Sequence, residues 1–143
     1  MLVAATAERQ RVKRSILDRS GQPQFRDAVI EAYKGQCALT DCTTEEALEA
    51  AHIIPCSANG EDCVQNGLLL RADLHTLFDL DLFWIDPDTR KVNLAPKLAG
   101  GYYKWLEGKP LGENHVSVNL RARTSELRWR FANRAAPAKD DTP

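Results

Sequence analysis

An α+β domain is the fold class this sequence predicts: a two-stranded hairpin that runs into a short helix, with flanking helices and short strands. Three observations carry that expectation. Between Ala50 and Leu82, two apolar segments, one holding His52 and the other opening at Asn66-Gly67, give way to a stretch with helical spacing. Upstream, Phe25, Ala28, Val29, Ala32 and Tyr33 recur at the period of one helix face. Downstream, Leu82–Ile85 and Lys91–Leu94 flank the turn signal Asp86-Pro87-Asp88-Thr89. A chain of 143 residues is one domain by length and can bury a core without disulfides.

Taken in order, Thr6–Leu17 carries Ala7, Val12, Ile16 and Leu17 among charges and predicts an amphipathic helix with a thin inner face. Gly21 and Pro23 break it. Pro23–Lys34 predicts a second helix, with Pro23 in its first turn and Gly35 at its C-terminal cap. Gln36–Leu39 predicts a short strand or an extended entry, and Thr40–Glu45 a loop. Glu46–Ala51 suits either a strand or a helical turn. Leu48–Pro55 reads as the strand that delivers His52, Ser57–Gln65 as a polar loop, and Ala72–Asp79 as a short helix. Beyond the second hairpin, Pro96–Gly101 predicts a break and Tyr102–Leu106 a short helix. Val116–Leu120 alternates like a strand, and Ser125–Arg134 predicts a final helix bearing Leu127, Trp129 and Phe131. The tail 135–143 reads as disordered.

Composition narrows the functional classes. With 43% hydrophobic and 27% charged residues the chain has the balance of a soluble protein, and no apolar run approaches the roughly 20 residues that span a bilayer. Arg9, Arg11, Lys13 and Arg14 stand where a secretory signal needs its apolar stretch, so a cytoplasmic location and no membrane partner are expected. The net charge of −1 argues against a protein that coats nucleic acid, yet the arginines are clustered. Arg9 to Arg19 gather at one end and Arg121, Arg123, Arg128, Arg130 and Arg134 at the other, flanking an acidic centre, as phosphate-contacting arms or as solvated helix faces. Four residues separate Cys37 from Cys42 and six separate Cys56 from Cys63, spacings that permit but do not favour a structural zinc. Reduced thiols are the expectation in a reducing compartment.

On a helix, residues four apart share a face, so His75 and Asp79 point at one spot, a pairing of imidazole and carboxylate that suits a divalent cation. The segments AAHIIP, NGLLLRADLH and the trailing LFD, with RSGQPQFRDAVIEAYKGQCALT ahead and LLLRADLHTLFDLDLFWID at and beyond them, resemble the HNH endonucleases of the ββα-metal nuclease superfamily. The likeness is to the branch attached to restriction-type and modified-DNA-recognising proteins, and it covers roughly Arg19 to Leu111. It settles Glu46–Ala51 in favour of strand. It divides the chain into a basic helical extension at 1–18, an HNH nuclease domain at 19–134 and the tail.

What the resemblance implies is DNA phosphodiester hydrolysis, with His52 as general base, His75 and Asp79 as metal ligands, and Asn66 bracing the loop or completing the coordination shell. Many members of the family carry Asp or His immediately before the base histidine as a further ligand, where this chain has Ala51. So few protein ligands suit Mg²⁺, which retains several waters, or Mn²⁺, better than a closed zinc site. Ala51 also keeps open the alternative of a nucleic-acid-binding domain that has the HNH shape without cutting. Arg71, beside the motif, and Arg19 and Arg128, within the basic clusters, are the expected phosphate contacts. Site choice is expected from a recognition domain or partner beyond these residues. His115 has no assignable role.

Overall fold

Strand β1 (Leu48–His52) pairs antiparallel with β2 (Gly67–Arg71), in a register that sets Leu48 opposite Arg71 and His52 opposite Gly67. The computed structural model describes residues 23–134. The predicted helix at Thr6–Leu17, the cluster Arg9 to Arg19 and the tail 135–143 lie outside them. Leu48, Ala50, Ala51, Leu68, Leu69 and Leu70 are all fully buried, because helices pack on the hairpin and exclude water from its strands. The apolar run Leu68-Leu69-Leu70 thus reads as continuous rather than alternating.

Helix α1 (Pro23–Ala32) packs against both strands through Phe25 and Val29, with Ala32 and, one residue past its end, Tyr33 also buried. It stops two residues short of the expected Lys34. Gly35, at φ 71°, donates its N–H to Ile30 O at 2.9 Å, a left-handed cap that closes the helix. Gly67 has a different purpose from the turn suggested by Asn66-Gly67. Its φ of −127° is ordinary extended backbone, and a Cβ there would lie 2.7 Å from Val29 Cγ2 and 3.0 Å from Phe25 Cζ. The glycine lets α1 come down onto the hairpin, and Tyr33 fastens the contact by donating its hydroxyl to Gly67 O at 3.1 Å.

Helix α2 (Ala72–Asp79) leaves β2 with no intervening loop and spans the predicted residues. It buries Leu74, His75 and Phe78 against both strands of the hairpin. Side chains alternate along a strand, and the two neighbours of β1 divide accordingly. His52 meets Phe25 of α1, whereas Glu49, of opposite parity, meets His75 of α2.

A second antiparallel hairpin, β3 (Phe83–Ile85) with β4 (Val92–Leu94), follows. Its turn is built as the sequence suggests: Asp86 Oδ1 accepts the N–H of Asp88 at 2.8 Å and of Thr89 at 3.1 Å. Tyr102–Leu106 is the expected short helix, of 3₁₀ type. Other expectations are corrected downstream or upstream of the hairpin. Pro96–Ala99 is not a break but a helical turn, α3, with Pro96 at its first position, where the missing N–H costs nothing. Val116–Leu120 is no strand: Val118–Leu120 forms a 3₁₀ turn and Val118 is 76% exposed, so its alternation has no sheet to bury it. Gln36–Leu39 forms no strand either, although Ala38 N–H reaches Leu69 O at 2.7 Å. The last helix, α4 (Thr124–Ala132), turns Leu127 and Arg130 inward rather than Trp129 and Phe131, because residues three apart share a helix face and residues two apart do not.

Candidate active site

One cleft, of about 430 Å³, collects His52 from the end of β1, His75 and Asp79 from α2, Asp81 just beyond α2, and Trp129 and Arg130 from α4. Three of the four residues singled out by sequence therefore meet in one place. The fourth, Asn66, does not line the cleft. No helix among the described residues is long and apolar enough to cross a membrane.

His75 is held at both ring nitrogens. Its side chain is 3% exposed, with Nδ1 2.6 Å from Glu49 Oε1 and Nε2 3.1 Å from Asp79 Oδ2. Burial by itself pushes the imidazole pKa down, but hydrogen bonds to Asp79 and Glu49, and the charges of both, outweigh it and raise the value to about 9. In the metal-free protein His75 is an imidazolium clasped between two carboxylates. The helical spacing anticipates the Asp79 contact; Glu49 escapes a reading by motif. Its one signal is an acid inside the otherwise apolar strand that leads to His52, at a position that turns out 1% exposed.

The arrangement fits a divalent cation. Asp79, half exposed at 50%, faces the cleft and shares the Nε2 side of His75, while Glu49 holds Nδ1 from behind. A carboxylate on the far nitrogen of a ligating histidine fixes its tautomer and raises its basicity, which is the usual support of such a ligand. One imidazole and one carboxylate leave the remaining positions to water and substrate oxygen, the donor set of Mg²⁺ or Mn²⁺.

His52 is fixed by stacking and by a carboxylate. Its ring lies parallel to that of Phe25, centroids 4.0 Å apart and planes 9° from coincident, and its Nε2 stands 2.7 Å from Asp62 Oδ1. Phe25, expected only to fill the core, thus also sets the plane of the cleft histidine. Cys56 Sγ lies 3.9 Å from the same nitrogen.

Asn66 is 1% exposed, and its amide closes the long connection between β1 and β2. Oδ1 accepts Ile54 N–H at 2.8 Å, while Nδ2 donates to Ile54 O at 3.0 Å and to Glu61 O at 2.9 Å. All three bonds run to backbone, so the side chain serves the loop that follows His52.

The basic residues separate. Arg71 sits at the end of the hairpin away from His52, does not line the cleft, and is clamped by Asp73 at 2.8 and 2.9 Å, with its guanidinium 5.6 Å from the Trp105 ring centroid. Arg128 is exposed on α4 and reaches Asp88 at 3.1 Å. Arg19 is outside the described residues. Arg130, which sequence reading placed only in a basic cluster, is 7% exposed, donates to Ile53 O at 3.1 Å and to Phe78 O, pairs with Asp81 at 3.1 Å, and lies 4.1 Å over the Phe78 ring. It ties α4 to the residues after β1 and α2. The four cysteines are free thiols, and of them only Cys56 belongs, among the described residues, to a group placed to hold a metal. His115 makes an edge contact with Tyr33 at 6.4 Å.

A strand pair running straight into a helix, with histidines on both and a carboxylate one helical turn on, is similar to the ββα arrangement of HNH nucleases. Residues 37–86 match the family model of the HNH endonuclease. Among solved structures, a modification-dependent restriction endonuclease, TagI, superposes with a TM-score of 0.62 over 85% of this chain at 20% identity, a likeness of fold. The chain spans 41% of the length of that protein. No curated protein matches by sequence.

Proposed function

We propose that this chain is the cutting module of a restriction-type system, a metal-dependent endonuclease that hydrolyses DNA phosphodiester bonds with little sequence preference of its own. The observation that carries the reading is the cleft shared by His52 and the His75–Asp79 pair, with Glu49 holding the far nitrogen of His75. His75 and Asp79 would hold the cation, which would supply charge neutralisation for the phosphoryl oxygens and the departing 3′ oxygen.

His52 takes the proton from the attacking water. A positioned imidazole is the side chain that most often serves as a general base. Asp62 accepts the Nε2–H and stabilises the imidazolium as it forms, and Phe25 keeps the ring from turning away. Asn66 holds the backbone after His52 in place. Exposed cations such as Arg128 meet phosphates, which position a duplex without reading its sequence. Recognition of modified or specific DNA belongs to another domain or partner.

The test is incubation of the purified protein with supercoiled plasmid under Mg²⁺, Mn²⁺ and EDTA. Nicking with either cation, silence in EDTA, and a loss on the order of a hundredfold in His52→Ala are expected. Intact plasmid under every cation, with duplex binding retained, would identify a binding domain that keeps the HNH shape.

A further inference from the structure

Beside the proposed hydrolytic cation site, His52 takes part in a second set of ligands. His52 Nε2, Cys56 Sγ and Asp62 Oδ1 all lie within 4.8 Å of one another, the only such group of three among the described residues. The nitrogen is 2.7 Å from the carboxylate oxygen and 3.9 Å from the sulfur, the latter close to the roughly 3.5 Å that separates nitrogen and sulfur across a tetrahedral zinc. Cys56 is exposed and the Asp62 side chain is 46% exposed, so both can adjust by side-chain rotation while His52 is held by its stack on Phe25.

We propose that His52, Cys56 and Asp62 form a binding site for a thiophilic divalent cation of the Zn²⁺ class, and that its occupation switches the nuclease off. A thiolate, an imidazole and a carboxylate balance a dication and leave a fourth position for water, an arrangement of borderline-soft donors that zinc accepts and magnesium does not. The two sites thus differ in chemistry. His75 and Asp79 offer no sulfur and suit hard cations; the group around His52 offers one and selects softer ones.

The inhibitory consequence rests on the reading of His52 as the base. A cation binds Nε2 of the tautomer whose single ring proton sits on Nδ1, so the proton that Nε2 shared with Asp62 leaves it and Nδ1 carries the N–H. Neither nitrogen then has a lone pair for water. Asp62 changes at the same time from acceptor of the His52 N–H to ligand. Zinc would silence hydrolysis without touching the site that holds the activating cation.

Cobalt reports the site directly, since Co²⁺ bound by a thiolate shows a charge-transfer band in the near ultraviolet that nitrogen and oxygen ligands do not give. Titration of the full chain with Co²⁺ should produce this band at one equivalent. The band should disappear in Cys56→Ser, persist in Cys63→Ser, bleach on addition of Zn²⁺ and survive a large excess of Mg²⁺. Absence of the band, or a band unchanged in Cys56→Ser, would overturn the site whether or not the protein cuts DNA. In the plasmid assay under Mg²⁺, stoichiometric Zn²⁺ should slow wild-type nicking by at least about tenfold and leave Cys56→Ser nicking at its own zinc-free rate, given the two or more decades a general base supplies. Equal inhibition of both proteins would place the inhibitory zinc elsewhere and overturn the switch. Failure of the zinc-free protein to nick under any cation would sink the nuclease reading and with it the switch, while the cobalt band alone would decide the site.

Discussion

Glu49 Oε1 stands 2.6 Å from His75 Nδ1, the carboxylate 1% and the imidazole 3% exposed, so a strand of the hairpin grips the helix that follows it through an ionic hydrogen bond sealed from water. The bond explains why an acid occupies a strand otherwise buried as apolar surface. It also makes Glu49 the residue through which the hairpin sets the orientation of the His75 ring.

Replacing Glu49 by Gln keeps the size and an acceptor but removes the charge. Mn²⁺ affinity measured by calorimetry is expected to fall by about 10- to 100-fold, the usual consequence of losing the carboxylate behind a ligating histidine. Nicking should return at raised Mn²⁺. Unchanged affinity would reduce Glu49 to a packing residue.

The clasp on His75 has a pH signature in the metal-free protein. Its folded pKa of about 9 lies above the ordinary 6.5, so the contribution to stability is complete below pH 6.5 and is lost as pH rises through 9. Melting in EDTA should therefore drop, by on the order of 10 °C, between pH 6.5 and 9.5. His75→Gln should flatten this slope. Metal binding requires the neutral ring, so affinity should rise with pH over the same window, with about one proton released per ion bound.

Gly67→Ala tests the close approach of α1 to the hairpin. The added methyl meets Val29 and Phe25 below van der Waals contact, and overpacking of this kind costs about 1–3 kcal/mol in urea denaturation. Phe25 must also give way, which tilts the surface on which His52 lies. A loss of nicking larger than the stability loss explains, with the far-ultraviolet spectrum unchanged, is the expected outcome. A variant as stable and as active as wild type would show that α1 has room to spare.

Arg130→Met removes the tie between α4 and the backbone after β1 and α2. Ile53 O, Phe78 O and Asp81 lose a charged donor, and the expected cost is about 3 kcal/mol. Stability within about 0.5 kcal/mol of wild type would mean that water replaces the guanidinium freely.

The hairpin, the helix after it and the second hairpin were legible because their signals are local. The periods of two and 3.6 residues, Gly35 at a cap and Asp86-Pro87-Asp88-Thr89 at a turn each depend on a few neighbouring residues. Val116–Leu120 misled for the complementary reason: alternation predicts a strand only where a sheet edge stands ready to receive it. His75 and Asp79 announce themselves by a four-residue spacing. Glu49 lies 26 positions from His75 and Asp62 ten from His52, separations at which no periodicity operates and only the folded chain brings partners together. Arg130 was hidden by its company, since a buried arginine in an arginine-rich helix looks like its exposed neighbours.

The segment 53–66 between β1 and β2 buries only Ile53 and Asn66 among its residues, and the Asn66 amide ties it back through two bonds to Ile54 near its start and one to Glu61. Gly60 admits no side chain, since a Cβ there would lie 1.7 Å from Ile54 O. Substitutions at exposed positions such as Cys56, Ser57 and Asp62 can be accepted at little cost to stability, because those side chains have little packing to lose. Chemistry is thereby divided between a stiff frame that carries His75 and Asp79 and a cheaply edited rim beside His52. A protein built this way can acquire or discard a control over its own reactivity by one or two point changes in the rim, with no need to refold the frame.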